Sequence, residues 1–210
     1  MMFLSPVHSI APSRLARPTR QWLAASAIAA LMLCTACSTV ATQPALDRPD
    51  HTELQAIKDA DQSDRVAGPN TDWSVVAARD RVRLKRVREL VVSGELRTAV
   101  DFFNAALVCQ HGPDVADIRL AHALATISAS MDASATSANW LTAASWDRIM
   151  MRLGKPQWYG TQYTRAKTGD RKWQLYTIDE SAVTDEERTR LGVPTLAEAR
   201  QRADKLNQPQ

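Results

Sequence analysis

The sequence predicts a mainly α-helical protein with a single folded domain and a small β-hairpin near its C-terminal end. Apolar residues recur at helical spacing over most of residues 51–153. Helix-capping patterns mark the starts of several segments. Alternation of aromatic and polar residues is confined to about 158–178, which favours a hairpin there. We therefore expect about five antiparallel-packed helices, this hairpin and two short C-terminal helices.

The first two predicted helices are separated by a clear breaker. The first covers about 51–66 and is followed by Gly-Pro-Asn at 68–70. The second covers about 72–92, and Asp72 is placed to cap its first turn.

The third and fourth helices are joined by a short turn. A capping box formed by Thr98 and Asp101 starts the third helix, which ends at Gly112. Pro113 fits the first turn of the fourth helix, which continues to about Met131.

The fifth helix spans about 138–153 and stops at Gly154. The hairpin follows it, and would need the helices to pack against, because an isolated two-stranded hairpin is marginally stable. Two further capping boxes start the short C-terminal helices, Thr184-x-x-Glu187 and Thr195-x-x-Glu198.

Residues 1–36 read as an export signal. A basic segment with Arg14, Arg17 and Arg20 precedes an apolar run over 22–33 that is too short to span a membrane comfortably. The ending Leu-Cys-Thr-Ala-Cys resembles a bacterial lipobox, which implies lipidation of Cys37 as the first mature residue. The alternative is an ordinary secretory signal cut after Thr39-Val40-Ala41.

The interpretation as a lipoprotein implies a domain order and a location. Residues 37–50 form a polar tether, and residues 51–206 form the helical domain. Because Ser38 follows the cysteine, where aspartate would favour retention in the inner membrane, we expect anchoring in the outer membrane, facing the periplasm.

Charge and cysteine content narrow the function classes. Residues 1–36 hold three arginines and no acids, so the 26 basic and 23 acidic residues of the whole chain leave 23 of each afterwards. A mature chain without net charge lacks electrostatic support for a nucleic-acid partner. If Cys37 is lipidated, Cys109 is the remaining thiol, and its apolar helical surroundings predict a buried, inert side chain.

Polar residues interrupt the apolar stripes of several helices. On these helices, some polar residues fall on the same face as apolar ones. The polar residues are Asp61, Asp80, His122, Asp147 and Arg148, and the apolar residues are Leu54, Trp73, Val76, Leu84, Val87, Val91, Ile118, Ala121, Trp140, Leu141 and Met151. With short-looped helices running antiparallel, Asp101, His122, Asp147 and Arg148 are expected in one layer, and His111 at the other end of the bundle.

Two interpretations of this layer remain open. One is a buried ion-pair network in which Arg148 neutralises Asp147 or Asp80, since a stranded buried charge is costly. The other is a pocket in which His122 and a carboxylate carry out acid–base chemistry or hold a metal. Residues 37–210 contain no HExxH, CxxC, GxSxG or P-loop motif, so no metal site or cofactor is predicted from a motif.

A basic run, Arg-Asp-Arg-Val-Arg-Leu-Lys-Arg-Val-Arg-Glu at 79–89, belongs to the second helix. Its cations fall mainly on the outer side of an amphipathic helix, which predicts a solvated face. Contact with anionic lipid headgroups is the alternative.

Five segments together resemble a bacterial domain-of-unknown-function family, number 6624, over most of residues 51–205. They are 59–65, 96–112, 120–125, 146–163 and 192–200, with the combination Gln-His-Gly, Leu-Ala-His, Asp-Arg and Gly-Lys-Pro-Gln-x-Tyr-Gly-Thr-Gln. The resemblance implies one domain and no particular activity. It draws attention to Asp61, Gln62, Gln110, His111, His122, Asp147, Arg148, Gln157 and Gln162.

The segment Gly154–Tyr163 is the most distinctive part of that resemblance. Pro156 cannot continue a helix, and Gly160 either turns the chain or allows a close backbone approach. Gln157 and Gln162 suit the binding of backbone groups or of a polar ligand. The segment is therefore either a loop fastened to the helices, with Trp158 and Tyr159 packed, or a pocket wall facing Asp147, Arg148 and His122.

These observations predict an envelope lipoprotein with a helical binding or interaction domain, whose partner is an envelope protein or a small polar ligand. The alternative is an envelope hydrolase or metal-dependent enzyme using His122 with Asp147 or Asp101. The candidate site comprises Asp61, Asp80, Asp101, Gln110, His111, His122, Asp147, Arg148, Gln157, Tyr159 and Gln162.

Overall fold

The structure is a computed structural model that describes residues 48–66, 71–165, 168–169 and 171–208. The described chain contains seven α-helices and a two-stranded antiparallel hairpin, which confirms the predicted fold class. The export signal and Cys37 lie outside the described residues. The elements are α1 (Thr52–Arg65), α2 (Trp73–Val92), α3 (Ala99–Cys109), α4 (Val115–Met131), α5 (Thr136–Arg152), β1 (Tyr163–Arg165), β2 (Trp173–Leu175), α6 (Asp185–Arg190) and α7 (Leu196–Leu206).

Local capping chemistry starts the helices largely as predicted. Asp72 accepts hydrogen bonds at the start of α2, and capping boxes begin α3, α6 and α7 at Thr98, Thr184 and Thr195. The prediction for Pro113 is wrong, because α4 begins at Val115 and Pro113 precedes its N-cap residue. The side chain of Asp117 accepts from the backbone N–H of the N-cap residue, Asp114, and this contact fixes the helix start at Val115.

The chain enters the helical domain at one end of the bundle. The backbone N–H of His51 donates to Asp101 at 2.7 Å, and its ring contacts Glu95 beyond the end of α2. Ser128 near the end of α4 donates to the carbonyl of Ala99 at the start of α3. We call this the entry end, defined by His51, Glu95, Ala99, Asp101 and Ser128.

The opposite end of the bundle brings together the last turns of α1, α3 and α5. His111, just after α3, contacts Asp61 of α1, and Arg148 of α5 donates to the carbonyl of Gln110. We call this the far end, defined by Asp61, Arg65, Gln110, His111 and Arg148. Because α3 has 11 residues, the two ends are separated by ~16 Å along its axis.

The apolar core is formed by α1 to α5, with Leu54, Val87, Leu90, Ile118 and Leu141 among its fully buried side chains. Two predicted stripe positions are wrong: Trp73 is 61% exposed and Trp140 is 39% exposed. Trp73 is the first residue of α2, and Trp140 lies in the second turn of α5.

The C-terminal elements form a small layer with the hairpin. Strands β1 and β2 pair Tyr163 with Leu175, Thr164 with Gln174 and Arg165 with Trp173. The hydroxyl of Tyr163 donates to the carbonyl of Ala199 in α7, and Asn207 at the end of α7 bonds both backbone groups of Trp173. The hairpin is therefore supported by α7, as an isolated hairpin would require.

Within the described residues, every helix is too short or too polar to cross a membrane.

Candidate functional site

A buried carboxylate of α5 organises the loop that follows this helix. Asp147 is fully buried, and its Oδ1 accepts from the backbone N–H groups of Trp158 and Tyr159 at 2.8 and 2.9 Å. Its Oδ2 accepts from the backbone N–H and the hydroxyl of Thr161 at 2.9 and 2.8 Å. Four donors directed at one carboxylate satisfy a charge that would be costly to bury alone.

The chain reaches this position because two glycines adopt left-handed backbone conformations. Gly154 has a φ of 67° and ends α5, as predicted, with the Lys155 N–H donating to the Met150 carbonyl. Gly160 has a φ of 85°, and a Cβ there would lie 3.4 Å from Ile178 Cδ1. This distance is an ordinary van der Waals contact, so glycine is required here by the positive φ of the turn, which is the first of the two predicted roles of Gly160.

The two glutamines of the loop are engaged in its internal structure. Gln157 is fully buried, and its amide nitrogen donates to the carbonyls of Gln162 and Tyr176 while its side-chain oxygen accepts from the Gln162 N–H. The amide nitrogen of Gln162 donates to the carbonyl of Ala144 in α5 at 3.2 Å. These bonds fasten the loop to the helices, which is the first of the two predicted roles.

A residue outside the sequence predictions, Arg188 of α6, holds the loop from its other side. Its side chain is 2% exposed and donates to the carbonyls of Trp158 and Tyr159 at 2.9 and 3.2 Å. It also contacts Asp185, three residues earlier on the same helix. No helical stripe or motif pointed to Arg188, because α6 has only six residues.

Arg148 lies beside this loop at the far end of the bundle. Its Nε donates to the side-chain oxygen of Gln162 at 3.2 Å, and its Nη1 donates to the carbonyl of Gln110 at 2.9 Å. Both acceptors are neutral. Burial, together with the nearby cations Arg152 and Arg65, lowers the pKa of Arg148 from its ordinary value. The predicted pairing of Arg148 with Asp147 or Asp80 is therefore wrong.

Asp61 and Asp80 belong to a separate ion-pair cluster at the far end. Asp61 is fully buried and contacts Arg65 at 3.1 Å and the Nδ1 of His111 at 3.0 Å. Asp80 contacts both Arg65 and Arg83. Among the predicted site residues, the structure thus brings Asp61, Asp80 and His111 together through Arg65.

His122 is not placed with a carboxylate. Its Nδ1 lies 3.1 Å from the carbonyl of Thr142 and 3.2 Å from the hydroxyl of Ser145, both on α5. Its ring centroid lies 5.6 Å from that of Trp146, which in turn lies 4.8 Å from that of Trp158. His122 therefore supports the packing of α4 against α5.

Asp101 is likewise used in structure at the entry end. It accepts from the backbone N–H groups of His51, Arg97 and Thr98, and it closes the capping box of α3. The expected layer of Asp101, His122, Asp147 and Arg148 is thus a wrong prediction. Helical spacing predicts similar heights for all four, but Asp101 lies at the entry end and Arg148 at the far end, where His111 also lies.

The basic run of α2 is largely paired with acids. Arg79 and Arg83 contact Asp64, Arg86 contacts Glu53 and Glu89, Lys85 contacts Glu89, and Arg88 contacts Asp117. Several of these acids belong to α1 and α4. Arg79, Arg81, Lys85 and Arg88 are exposed, in agreement with the predicted solvated face, and the ion pairs also tie α2 to its neighbours. This pairing reduces the charge left for lipid headgroups.

Cys109 is buried in the core as predicted, and burial raises the pKa of its thiol to about 12.

Within the described ranges, the acids, histidines and cysteine form no group of three that could hold a metal ion. A groove of ≈ 770 Å³ runs along α2 beside the turn between α3 and α4, and both partners of the Arg88–Asp117 ion pair line it.

Comparisons with protein-family models, with curated proteins and with solved structures find no match in any of the three. The resemblance to family 6624 therefore stays a prediction. The fold and the site define a helical domain in which a C-terminal loop is held between α5 and α6. Beside this loop, Arg148 has no acidic partner among the described residues.

Proposed function

We propose that the protein is an envelope lipoprotein, lipidated at Cys37, whose helical domain acts by binding a ligand or a partner protein. The basic and apolar character of residues 14–33 and the lipobox-like ending at Cys37 support export and anchoring. Residues 37–210 carry equal numbers of basic and acidic side chains, so a nucleic-acid partner has no electrostatic support.

The observation that carries the binding role is the saturation of Asp147. All four of its hydrogen-bonding contacts come from loop residues, so the carboxylate is committed to holding the loop. A general base needs a carboxylate or imidazole within hydrogen-bond reach of a substrate proton. Asp101 is committed in the same way to three backbone N–H groups.

The alternative function, hydrolysis by His122 with Asp147 or Asp101, loses its main support. That hypothesis needs the imidazole within ~3 Å of the carboxylate or of a shared water. The Nδ1 of His122 instead contacts the Thr142 carbonyl and the Ser145 hydroxyl.

Anchoring is tested by expressing the full chain with Cys37→Ala and, as a matched control, with Cys34→Ala. We expect wild type and Cys34→Ala to enter the detergent phase of a phase-partition experiment and to incorporate labelled fatty acid. Cys37→Ala should do neither. Equal fatty-acid labelling of Cys37→Ala and wild type would exclude the proposed anchor. Density-gradient separation of the membranes then tests the outer-membrane location.

Binding is separated from catalysis by assaying ester, peptide and glycan substrates with wild type and His122→Gln. We expect the same background rate for both proteins. A turnover by wild type that is abolished in His122→Gln, while the two proteins unfold at the same temperature, would establish the hydrolase instead.

A further inference from the structure

Arg148 differs from the other arginines that the structure places at helix contacts. Acidic side chains lie within hydrogen-bonding or ion-pair distance of Arg65, Arg83, Arg86, Arg88 and Arg188. Across the described ranges, no such pair is formed by Arg148. A partly buried cation without a counter-charge is costly, so its retention needs a reason.

The two protein contacts of Arg148 leave part of its guanidinium free. Nε and Nη1 donate to neutral oxygens of Gln162 and Gln110. Nη2 has no acceptor among the described residues, yet it does not number among their fully buried polar atoms that lack a partner. The contacts of Nε and Nη1 therefore leave N–H groups on Nη1 and Nη2 unused by the described residues, and one N–H from each of these two nitrogens forms the fork that matches a carboxylate or phosphate.

A second cation lies one turn away on the same helix face. Arg152 is exposed, four residues after Arg148, and its charge lowers the pKa of Arg148. Like charges at this spacing destabilise a helix by a few tenths of a kcal/mol. The pair thus adds positive potential, and no acidic side chain of the described residues forms an ion pair with either arginine.

Gln110 adds another unsatisfied group at this place. Its side chain is 5% exposed, and its Oε1 is buried without a hydrogen-bond partner. The carbonyl of the same residue holds Arg148. Since buried polar atoms are almost always paired, the unpaired Oε1 shows that the contacts of Gln110 are incomplete. An amide oxygen accepts hydrogen bonds, so it would bind a donor group of the ligand and not the oxyanion itself.

We propose that Arg148 and Arg152 form an oxyanion-binding site for a carboxylate- or phosphate-bearing ligand at the far end of the bundle. Arg148 is the recognition residue, held in place by Gln110 and Gln162, and Arg152 adds a second charge from the surface. This proposal deepens the proposed function, because it names the ligand chemistry of the binding domain. The site lies at the opposite end of the bundle from the residues at which the chain enters it.

A purely structural role for Arg148 predicts different behaviour. Gln110 is the C-cap residue of α3, so Arg148 also lies against the negative end of a helix dipole. If that were its whole role, removing Arg152 would leave every binding property unchanged. The variant Arg152→Gln therefore tests the proposal without depending on a buried residue.

The experiment uses the full chain in detergent and measures calorimetric binding of two probes, inorganic phosphate and N-acetylalanine. The proteins are wild type, Arg152→Gln, Arg148→Gln, Arg148→Lys and the control Arg119→Gln, which removes an exposed charge from α4. We expect one site per chain for at least one probe. Affinity should fall about fivefold in Arg152→Gln and about tenfold or more in Arg148→Gln and Arg148→Lys, but not in Arg119→Gln.

The outcomes are distinct. Binding of phosphate alone, or of N-acetylalanine alone, supports the site and identifies the source of the oxyanion. No binding of either probe up to about 10 mM, or equal affinity of wild type and Arg152→Gln, overturns the proposal. Because the measurement does not depend on Cys37, its failure leaves the test of anchoring unaffected, and failed anchoring does not affect this measurement.

Discussion

Asp147 and Arg188 bind the backbone of the same two residues, Trp158 and Tyr159. Asp147 accepts the N–H groups of Trp158 and Tyr159, and Arg188 donates to the carbonyls of those same residues. Asp147 and Arg188 are thus linked through the loop, while the ion pair of Arg188 is formed with Asp185. The loop, in turn, joins α5 to the C-terminal layer, so both charges contribute to the packing of distant parts of the domain.

The clamp of Asp147 and Arg188 should be cooperative. We expect Asp147→Asn and Arg188→Met each to lower the free energy of unfolding by about 2–4 kcal/mol, since each leaves buried backbone groups unpaired. Chemical denaturation of both single variants and the double variant measures the coupling. The double variant should lose less than the sum, by about 0.5–3 kcal/mol.

Asp59→Asn, on the exposed side of α1, is the matched control for the clamp and should unfold like wild type. Additive losses in the double variant would mean that the two charges act independently and would refute the clamp.

Gly160 and Gly94 allow backbone strain to be separated from packing. Both have positive φ, but a Cβ at Gly160 would contact Ile178 and Ala199, whereas a Cβ at Gly94 would meet open space. We expect Gly94→Ala and Gly160→Ala each to cost about 1 kcal/mol of unfolding free energy because of the positive φ, since contacts of 3.4 and 3.5 Å at Gly160 are ordinary van der Waals distances. A clearly larger loss for Gly160→Ala in denaturant titrations would contradict this and would show that packing against Ile178 and Ala199 adds to the strain.

Asp101 should make stability depend on pH in the acidic range. Burial favours its neutral form, but the N–H groups of His51, Arg97 and Thr98 outweigh burial and hold the pKa of Asp101 below its ordinary value of 3.8. The folded state therefore binds this proton less readily than the unfolded state. The stabilisation is complete above pH 3.8 and is lost as the pH falls through the lower folded value.

Unfolding free energies of wild type and Asp101→Asn, measured from about pH 2 to pH 7, test this sign. We expect the variant to be less stable by about 1–3 kcal/mol at neutral pH, and the difference to shrink on acidification. A difference that stays constant with pH would show that Asp101 does not titrate as proposed.

Cys109 should be protected from thiol reagents in the folded protein. Burial raises the pKa of its thiol to about 12, so thiolate is scarce near neutral pH, and the side chain is fully covered. A chain carrying Cys34→Ala and Cys37→Ala keeps Cys109 as its one thiol. We expect iodoacetamide labelling to be at least about a hundredfold slower when folded than in denaturant. Similar rates in both conditions would contradict the buried position.

Sequence reasoning was sufficient for several local structural decisions, although not for the start of α4 near Pro113. The capping boxes at Thr98, Thr184 and Thr195 and the helix end at Gly154 all depend on hydrogen bonds or dihedral angles within a few residues. Spacing along the chain specifies such contacts directly. The same holds for the burial of Leu54 and Asp61 on one face of α1, which follows from helical periodicity.

Only the tertiary structure decided which groups satisfy the buried polar side chains. Asp147 finds its donors 11 to 14 residues later in the chain, Arg148 finds the Gln110 carbonyl 38 residues earlier, and Arg188 reaches Trp158 across 30 residues. Periodicity predicts that these side chains point inward, but not the rotation of each helix about its axis or the path of the loop. Those are determined by packing the whole domain at once, and they decide that Asp147 is satisfied while Arg148 has neutral acceptors and no acidic partner among the described residues.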